Sequence, residues 1–203
     1  MAKIKKTIKL ENKIYIWDKF IRFFHWNLVL GIAAGYITAE NDLIEAHSLI
    51  GYYLGVLLIL RIIWGFLGKS HAKFSNFLFP LMKVPEYLLS LLSRKDIKDY
   101  QAHNPASAYM ALTLMLVLGL LLISGSLVLG YLEFEGPLTS ITNELPNGYK
   151  STLVEIHEIF FDILITLIIL HIAGAIISSI LHKENLIKAM IHGYRKKVSS
   201  HKE

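Results

Sequence analysis

Residues 151–181 read STLVEIHEIFFDILITLIILHIAGAIISSIL, and this stretch decides the fold. From Leu153 to Leu181 it is almost wholly apolar, and at about 1.5 Å per residue a helix of this length crosses a bilayer. Two histidines interrupt it, His157 near one end and His171 deep inside. Because an ionisable side chain at that depth costs free energy, it indicates a functional site that supplies a partner.

The spacing of these two histidines limits what they can bind. Fourteen residues is just under four helical turns, so both imidazoles leave almost the same face, about 40° apart in azimuth and about 21 Å apart in height. That separation is too large for one shared metal ion. It suits two large cofactors, one toward each surface of the membrane.

The composition places the chain among membrane proteins. Of its 203 residues 54% are hydrophobic, and the mean hydropathy is +0.47, both too high for an ordinary soluble domain. The chain has no cysteine, which excludes disulfides, thiolate zinc sites, cysteine-ligated iron–sulfur clusters and covalently attached haem. Any redox cofactor must therefore be held by other ligands, of which histidine is the obvious candidate.

The apolar runs predict an all-α membrane protein with a bundle of four transmembrane helices, at about residues 20–39, 44–67, 107–131 and 153–181. These spans make up a membrane domain at 20–181, between an N-terminal segment at 1–19 and a basic tail at 182–203. The first run is longer than a usual signal-peptide core and no small-x-small site follows it, so we interpret it as a retained span. Residues 85–93, PEYLLSLLS, are typical of an interfacial amphipathic segment.

Lysine and arginine are distributed very unevenly along the chain. The N-terminal segment up to Arg22 holds seven, the connection at 68–106 holds six, and the C-terminal tail holds six. The two other connections, 40–46 and 132–152, hold only Lys150. This asymmetry predicts that both termini and the long connection are cytoplasmic. The basic segments are then topology signals, and we expect no nucleic-acid partner.

This topology gives each intramembrane histidine a depth. His47, at the start of the second span, and His157 lie toward the outside, and we call them the outer pair. His25, near the start of the first span, and His171 lie toward the cytoplasm, and we call them the inner pair. One haem iron takes two axial imidazoles from facing helices, so the two layers predict two bis-histidine haems. The other interpretation of a histidine inside a membrane is an interhelical hydrogen bond.

Three residues that follow His47 on the second span have two interpretations each. Gly51 and Gly55 lie on the same helix face as His47, where they leave room for a flat macrocycle or serve ordinary small-residue helix packing. Arg61 lies fourteen residues after His47, near the level of the inner pair. There its guanidinium can pair with haem propionates or extend toward the membrane surface.

Five stretches resemble the bacterial cytochrome b561 and nickel–iron hydrogenase cytochrome b family, which includes the cytochrome b subunits of formate dehydrogenases. They are YIWDKFIRFFHW (15–26), EAHSLIGYYLGVLLILRIIWGFLGKSHAKF (45–74), AHNPASAYM (102–110), EIHEIFFDILITLIILHIAG (155–174) and LHKENLIKAMIHG (181–193). The resemblance implies four helices around two non-covalent b haems, with iron ligands at His25, His47, His157 and His171.

The same resemblance implies that a quinone reacts near the inner haem, where His103 and Asn104 would help to line the pocket. For Asn104 a local role is also open, because an asparagine before a proline favours a turn that starts a helix.

We therefore expect a di-haem cytochrome b that carries electrons between a redox partner outside the membrane and the membrane quinone pool. The chain would be the electron-transfer subunit of a respiratory oxidoreductase rather than an independent enzyme. A periplasmic hydrogenase, a molybdoenzyme or a cytochrome c fits as the partner, and a homodimer is compatible with the sequence. The expected location is the bacterial cytoplasmic membrane.

Two other functions stay open at this point. One is a stand-alone oxidoreductase that takes electrons from superoxide or another small donor and reduces quinone. The other is a haem-free transporter whose histidines relay protons or zinc. An absorbance spectrum separates the transporter from the cytochromes, and copurification of a partner separates a subunit from a stand-alone enzyme.

Overall fold

The computed structural model describes residues 13–68, 70–93, 100, 102–146 and 148–197. Its elements follow in chain order: β1 (Lys13–Tyr15), α1 (Lys19–Glu40), α2 (Ile44–Leu67), the 3-10 turns Ser70–Ala72 and Phe74–Phe77, α3 (Lys83–Ser93), α4 (Pro105–Leu132), α5 (Thr139–Thr142), α6 (Lys150–Leu181), α7 (Leu186–His192) and β2 (Tyr194–Lys196). Residues 1–12 of the predicted N-terminal segment and 198–203 of the predicted tail lie outside the described residues.

Four of the helices, α1, α2, α4 and α6, are long and apolar enough to cross a membrane. They confirm the predicted all-α membrane fold with four spans, in which each helix satisfies its own backbone polar groups away from water. The longest is α6, an unbroken helix of 32 residues. His157 and His171 therefore share one helix axis, and their separation of about 21 Å in height follows from the helical rise.

The connection between α1 and α2 is short, and its backbone geometry explains why. Asp42 ends α1 in the left-handed region, at φ 55°, which asparagine and aspartate tolerate better than most residues. The Leu43 amide then donates to the Thr38 carbonyl at 2.9 Å, which satisfies one of the last carbonyls of α1. The chain re-enters a helix at Ile44, so His47 lies in the first turn of α2.

The chain forms two compact units. Unit 1 comprises residues 1–23, 63–111 and 170–203, and unit 2 comprises 24–62 and 112–169. The core of unit 2 consists of the aliphatic side chains Leu58, Val117, Leu118 and Leu164. A Cβ at Gly31 would lie 2.5 Å from Cδ2 of Leu54, so the Leu54 side chain of α2 packs directly against the backbone of α1 at residue 31.

Unit 1 contains a small sheet that the sequence did not predict. Strands β1 and β2 are antiparallel, with Lys13, Ile14 and Tyr15 opposite Lys196, Arg195 and Tyr194 respectively. Each strand has three residues, too few for an alternating hydrophobic pattern to be recognised.

Gly193 precedes the second strand with φ 88°, and a Cβ there would lie 2.6 Å from the Trp17 carbonyl oxygen. The turn into β2 therefore requires glycine, because other residues rarely adopt this conformation and none could avoid the contact.

The long connection of unit 1 carries the amphipathic segment as helix α3. Its Tyr87 is buried, whereas Leu88 and Leu89 are exposed. At its start Lys83 forms an exposed ion pair with Glu86 at 2.7 Å, and the carboxylate raises the pKa of Lys83 through a hydrogen bond and its charge. The segment is thus helical, and its place at the membrane surface stays a prediction.

Candidate metal-binding site

The structure brings the two histidines of the outer pair together in unit 2. His47 comes from the first turn of α2, and His157 comes from the second turn of α6. Their ring centroids are 6.2 Å apart and the ring planes are perpendicular, at 90°. Both side chains are half-buried. The pair is therefore close enough to share one ligand that lies between the rings.

The hydrogen bond of His47 defines which of its ring nitrogens can bind a metal. Its Nδ1 lies 2.9 Å from the carbonyl oxygen of Gly35 in α1. A carbonyl only accepts, so Nδ1 must carry the proton in this contact and Nε2 keeps its lone pair. A neutral imidazole with this tautomer is a metal ligand through Nε2.

His157 has the same tautomer for the same kind of reason. Its Nδ1 lies 3.1 Å from the carbonyl oxygen of Leu121 and 3.0 Å from Oγ of Ser124, both in α4. The Ser124 hydroxyl donates its own proton to Leu121 O at 2.9 Å, so Ser124 Oγ accepts from the imidazole. Nδ1 therefore donates to both oxygens, and Nε2 of His157 is also left as a lone pair.

These features fit the axial ligands of a haem. With metal–nitrogen bonds of about 2 Å, two imidazoles on opposite sides of one metal ion have ring centres about 6 Å apart. Hydrogen bonding of Nδ1 to a carbonyl is the usual support of a metal-bound histidine. Throughout the described ranges, neither Nε2 atom takes part in a hydrogen bond.

The space next to the outer pair also suits a flat group. A Cβ built on Gly51 or Gly55 would meet nothing within 4 Å among the described residues. Both glycines follow His47 on its helix face, so the face is open there rather than filled by packing. No cluster of three or more His, Cys, Asp or Glu side chains is positioned for a metal ion in the described part of the chain. Two imidazoles are the number of protein ligands expected at a metal centre whose other ligands come from a macrocycle.

Four residues that support the outer pair were missed by sequence reasoning: Gly35, Leu121, Ser124 and Gly125. A Cβ at Gly125 would lie 2.8 Å from Cε1 of His157, so only glycine leaves room for the ring in this position. The run Ser124-Gly125-Ser126 interrupts an otherwise apolar span and was the available signal. The two carbonyl oxygens carry no signal, because every residue type has one.

The two histidines of the inner pair lie in different units. His25 belongs to unit 2, is half-buried on α1, and has the Trp26 ring at 5.2 Å in an edge-to-face arrangement. His171 belongs to unit 1 and is half-buried on α6. Their pairing stays a prediction from topology and from the family resemblance.

Arg61 is buried in unit 2, with 4% of its surface exposed. A charged group at such a position needs compensation, whether from the chain or from a bound anion. The proposed contact with haem propionates is compatible with this burial and stays a prediction.

His103 and Asn104 lie where α4 begins, in unit 1. The His103 ring is between the rings of Trp17 and Phe77, with centroid distances of 4.9 and 4.2 Å. Asn104 Oδ1 accepts from the Ser107 amide at 2.8 Å, and Ser107 Oγ accepts from the Asn104 amide at 3.0 Å. Asn104 is thus the N-cap of α4, which was the local role left open. Its part in a quinone pocket stays a prediction.

Comparison with known proteins identifies the family of the chain. The sequence profile described as prokaryotic cytochrome b561 matches residues 16–193. This range contains α1, α2, α4 and α6 and all four histidines of the outer and inner pairs.

Several bacterial proteins named "Probable Ni/Fe-hydrogenase B-type cytochrome subunit" are similar over most of their length. The one from Rhodobacter capsulatus is 22% identical, and the match covers 94% of this chain and 84% of that protein. Those from Azotobacter vinelandii and Rhizobium leguminosarum bv. viciae are 24% and 25% identical, and each match covers 94% of this chain and 92% of the relative.

Membership of a cytochrome b family implies haem b as cofactor, which removes the haem-free transporter from consideration. The four apolar helices, the outer pair and the family match are consistent with one another. The chain therefore belongs to the prokaryotic cytochrome b561 family, and it is a multi-pass membrane cytochrome b of electron transport.

Proposed function

We propose that this chain holds two non-covalent haems b and carries electrons between a redox enzyme outside the membrane and the quinone pool within it. The observation that carries the proposal is the outer pair, in which two imidazoles lie at a ring separation of 6.2 Å and neither Nε2 is hydrogen-bonded to a described residue. A hydrogen-bonded core pair of histidines would use those nitrogens in bonds to protein groups.

The residues that would hold the two haems come from three helices. The outer pair would hold one, between α2 and α6. The inner pair would hold the other, between α1 and α6, with Arg61 as the cation for its propionates. When bound, each haem supplies reversible one-electron transfer.

The chain itself fixes the imidazole tautomers of the outer pair and separates the two layers. The offset of 14 positions from His157 to His171 on one unbroken helix sets a spacing of about 21 Å. Electrons can thereby cross most of a bilayer within one polypeptide.

The external partner we propose is a nickel–iron hydrogenase. Support comes from the relatives, which are named as B-type cytochrome subunits of such enzymes and match along nearly the whole chain. A molybdoenzyme or a cytochrome c would meet the same surface and is the alternative partner. The chain is then a subunit, because the haems would carry the electrons and the protein has little bond-making chemistry of its own.

The proposed location is the bacterial cytoplasmic membrane with both termini in the cytoplasm. It rests on the distribution of lysine and arginine, of which only Lys150 falls in the two connections assigned to the outside. The inner pair and the start of α4 then lie on the cytoplasmic side. We place the quinone reaction there, near His103 and Asn104.

Quinol-driven reduction tests this function. The purified chain in lipid nanodiscs should show reduction of its haem absorbance within seconds after a quinol is added. Asn104→Ala should slow this reduction while both haems stay bound, because a quinone carbonyl loses a hydrogen-bond partner worth on the order of 1 kcal/mol.

Asn104→Asp is the control for the cap, since it keeps an oxygen for the Ser107 amide while it replaces the amide donor by a negatively charged acceptor. A wild-type chain that quinol does not reduce contradicts the function. A normal rate in Asn104→Ala limits that residue to the helix cap.

A further inference from the structure

The side chain of Ser124 makes a contact that its place in a helix does not require. A serine within a helix usually returns its hydroxyl proton to a carbonyl of the preceding turn, and Ser124 does so to Leu121 at 2.9 Å. Its oxygen also lies 3.0 Å from Nδ1 of His157, which comes from another helix. The residue is buried, with 5% of its surface exposed. Water therefore does not compete strongly for this contact.

The two ligands of the outer pair are supported unequally. Nδ1 of His47 has one acceptor, the carbonyl of Gly35. Nδ1 of His157 has two, the carbonyl of Leu121 and the hydroxyl of Ser124. Among these three acceptors only the hydroxyl belongs to a side chain, so it is the only one that a substitution can remove.

The His157 ring packs tightly against the helix that carries this hydroxyl. A Cβ at Gly125 would lie 2.8 Å from Cε1, 3.3 Å from Nδ1 and 3.5 Å from Nε2 of the ring. The imidazole thus lies directly against the backbone of α4 at residue 125. Close packing on this side keeps the ring plane and the hydrogen bond in one geometry.

We propose that Ser124 is a positioning residue that sets the reduction potential of the outer haem through His157. The proposal rests on the proposed ligation of that haem by the outer pair. An acceptor at Nδ1–H makes the imidazole a stronger electron donor at Nε2, which stabilises the oxidised metal and lowers the potential. Loss of the Ser124 acceptor should therefore raise the potential of the outer haem and leave that of the inner haem unchanged.

Potentiometric titration of both haems in the full-length chain tests this role, with Ser124→Ala as the main variant. Ser126→Ala is the matched control, because it removes the same atom two residues further along α4. Its hydroxyl is buried and has no hydrogen-bond partner in the part of the chain that the structure describes. Ser124→Ala should shift one midpoint upward, and Ser126→Ala should shift neither.

Ser124→Cys covers the case in which the alanine variant loses the haem. The thiol has nearly the same size but is a weak acceptor, so this variant should keep both haems and show a smaller upward shift. Electron paramagnetic resonance of the oxidised protein should show a change in the outer signal alone. The midpoint that shifts is assigned to the outer haem if this midpoint is absent from the titration of His157→Ala.

Wild-type midpoints in both Ser124 variants, with both haems bound, would overturn the role of Ser124. So would an equal shift in Ser126→Ala. A wild-type chain without a haem that depends on His157 would instead refute the proposed ligation itself, and the two failures are therefore distinguishable.

Discussion

An imidazole can bind iron through either ring nitrogen, and at His47 and His157 backbone oxygens decide which one. The carbonyls of Gly35 and Leu121 face Nδ1 of the two rings at 2.9 and 3.1 Å. Because a carbonyl cannot donate, both rings must turn their unprotonated Nε2 away from the backbone. The tautomer that haem ligation needs is thus already present in the folded chain.

Gly125→Ala tests the tight contact behind His157. The new Cβ would lie 2.8 Å from the ring, so the imidazole must move and we expect the outer haem to be lost or bound weakly. The haem content per chain, measured by pyridine haemochrome analysis, should fall by about half, because one of two sites is affected.

Gly119→Ala is the matched control for this variant on the same helix. Its Cβ would meet only Leu58, at an ordinary 3.6 Å, so haem content should not change. Retention of both haems with an unchanged spectrum in Gly125→Ala would show that the ring can shift without losing its ligand.

At the scale of elements, strands β1 and β2 join the segments that precede α1 and follow α7. Arg195 lies in β2, where its guanidinium binds Glu184 Oε2 at 2.9 Å and the Ala102 carbonyl at 2.7 Å. The side chains of Arg195 and Glu184 are only 12% and 13% exposed. The ion pair therefore links β2 to the turn after α6, and the hydrogen bond to Ala102 links it to the segment that leads into α4.

Arg195→Ala should open the sheet without removing haem. It leaves the carboxylate of Glu184 shielded from water and without its cation, at a cost on the order of 3 kcal/mol. Amide hydrogen exchange of β1 and β2 should then be about 100-fold faster, if the strands open as one unit.

Lys83→Ala is the comparison variant, because it breaks a different ion pair. The Lys83–Glu86 pair is exposed and should contribute little to stability. Unchanged exchange in Arg195→Ala would show that the strand pairing does not depend on this ion pair.

For the molecule as a whole, the sequence was sufficient to predict the four spans, because apolar runs are visible in it. Isolated ionisable residues drew attention to the four histidines, whose role as haem ligands stays a prediction. The sequence was not sufficient to predict the hydrogen-bond partners of those histidines. The carbonyls of Gly35 and Leu121 depend on helix packing, which side-chain patterns do not specify.

Two further features were recognised only in the structure. Arg195 was interpreted as part of a topology signal, and only the structure shows its ion pair with Glu184, eleven residues earlier in the chain. The strands β1 and β2 were missed because three residues are too few for a pattern.

Helix α6 is proposed to hold one ligand of each of two haems, at His157 and His171. The decisive measurement is the haem content of His157→Ala and His171→Ala, together with potentiometric titration of both variants. We predict two haems per wild-type chain and one in each variant, with the surviving haem having a different midpoint in the two cases. One haem or none in the wild type, or loss of the same haem in both variants, would contradict the claim.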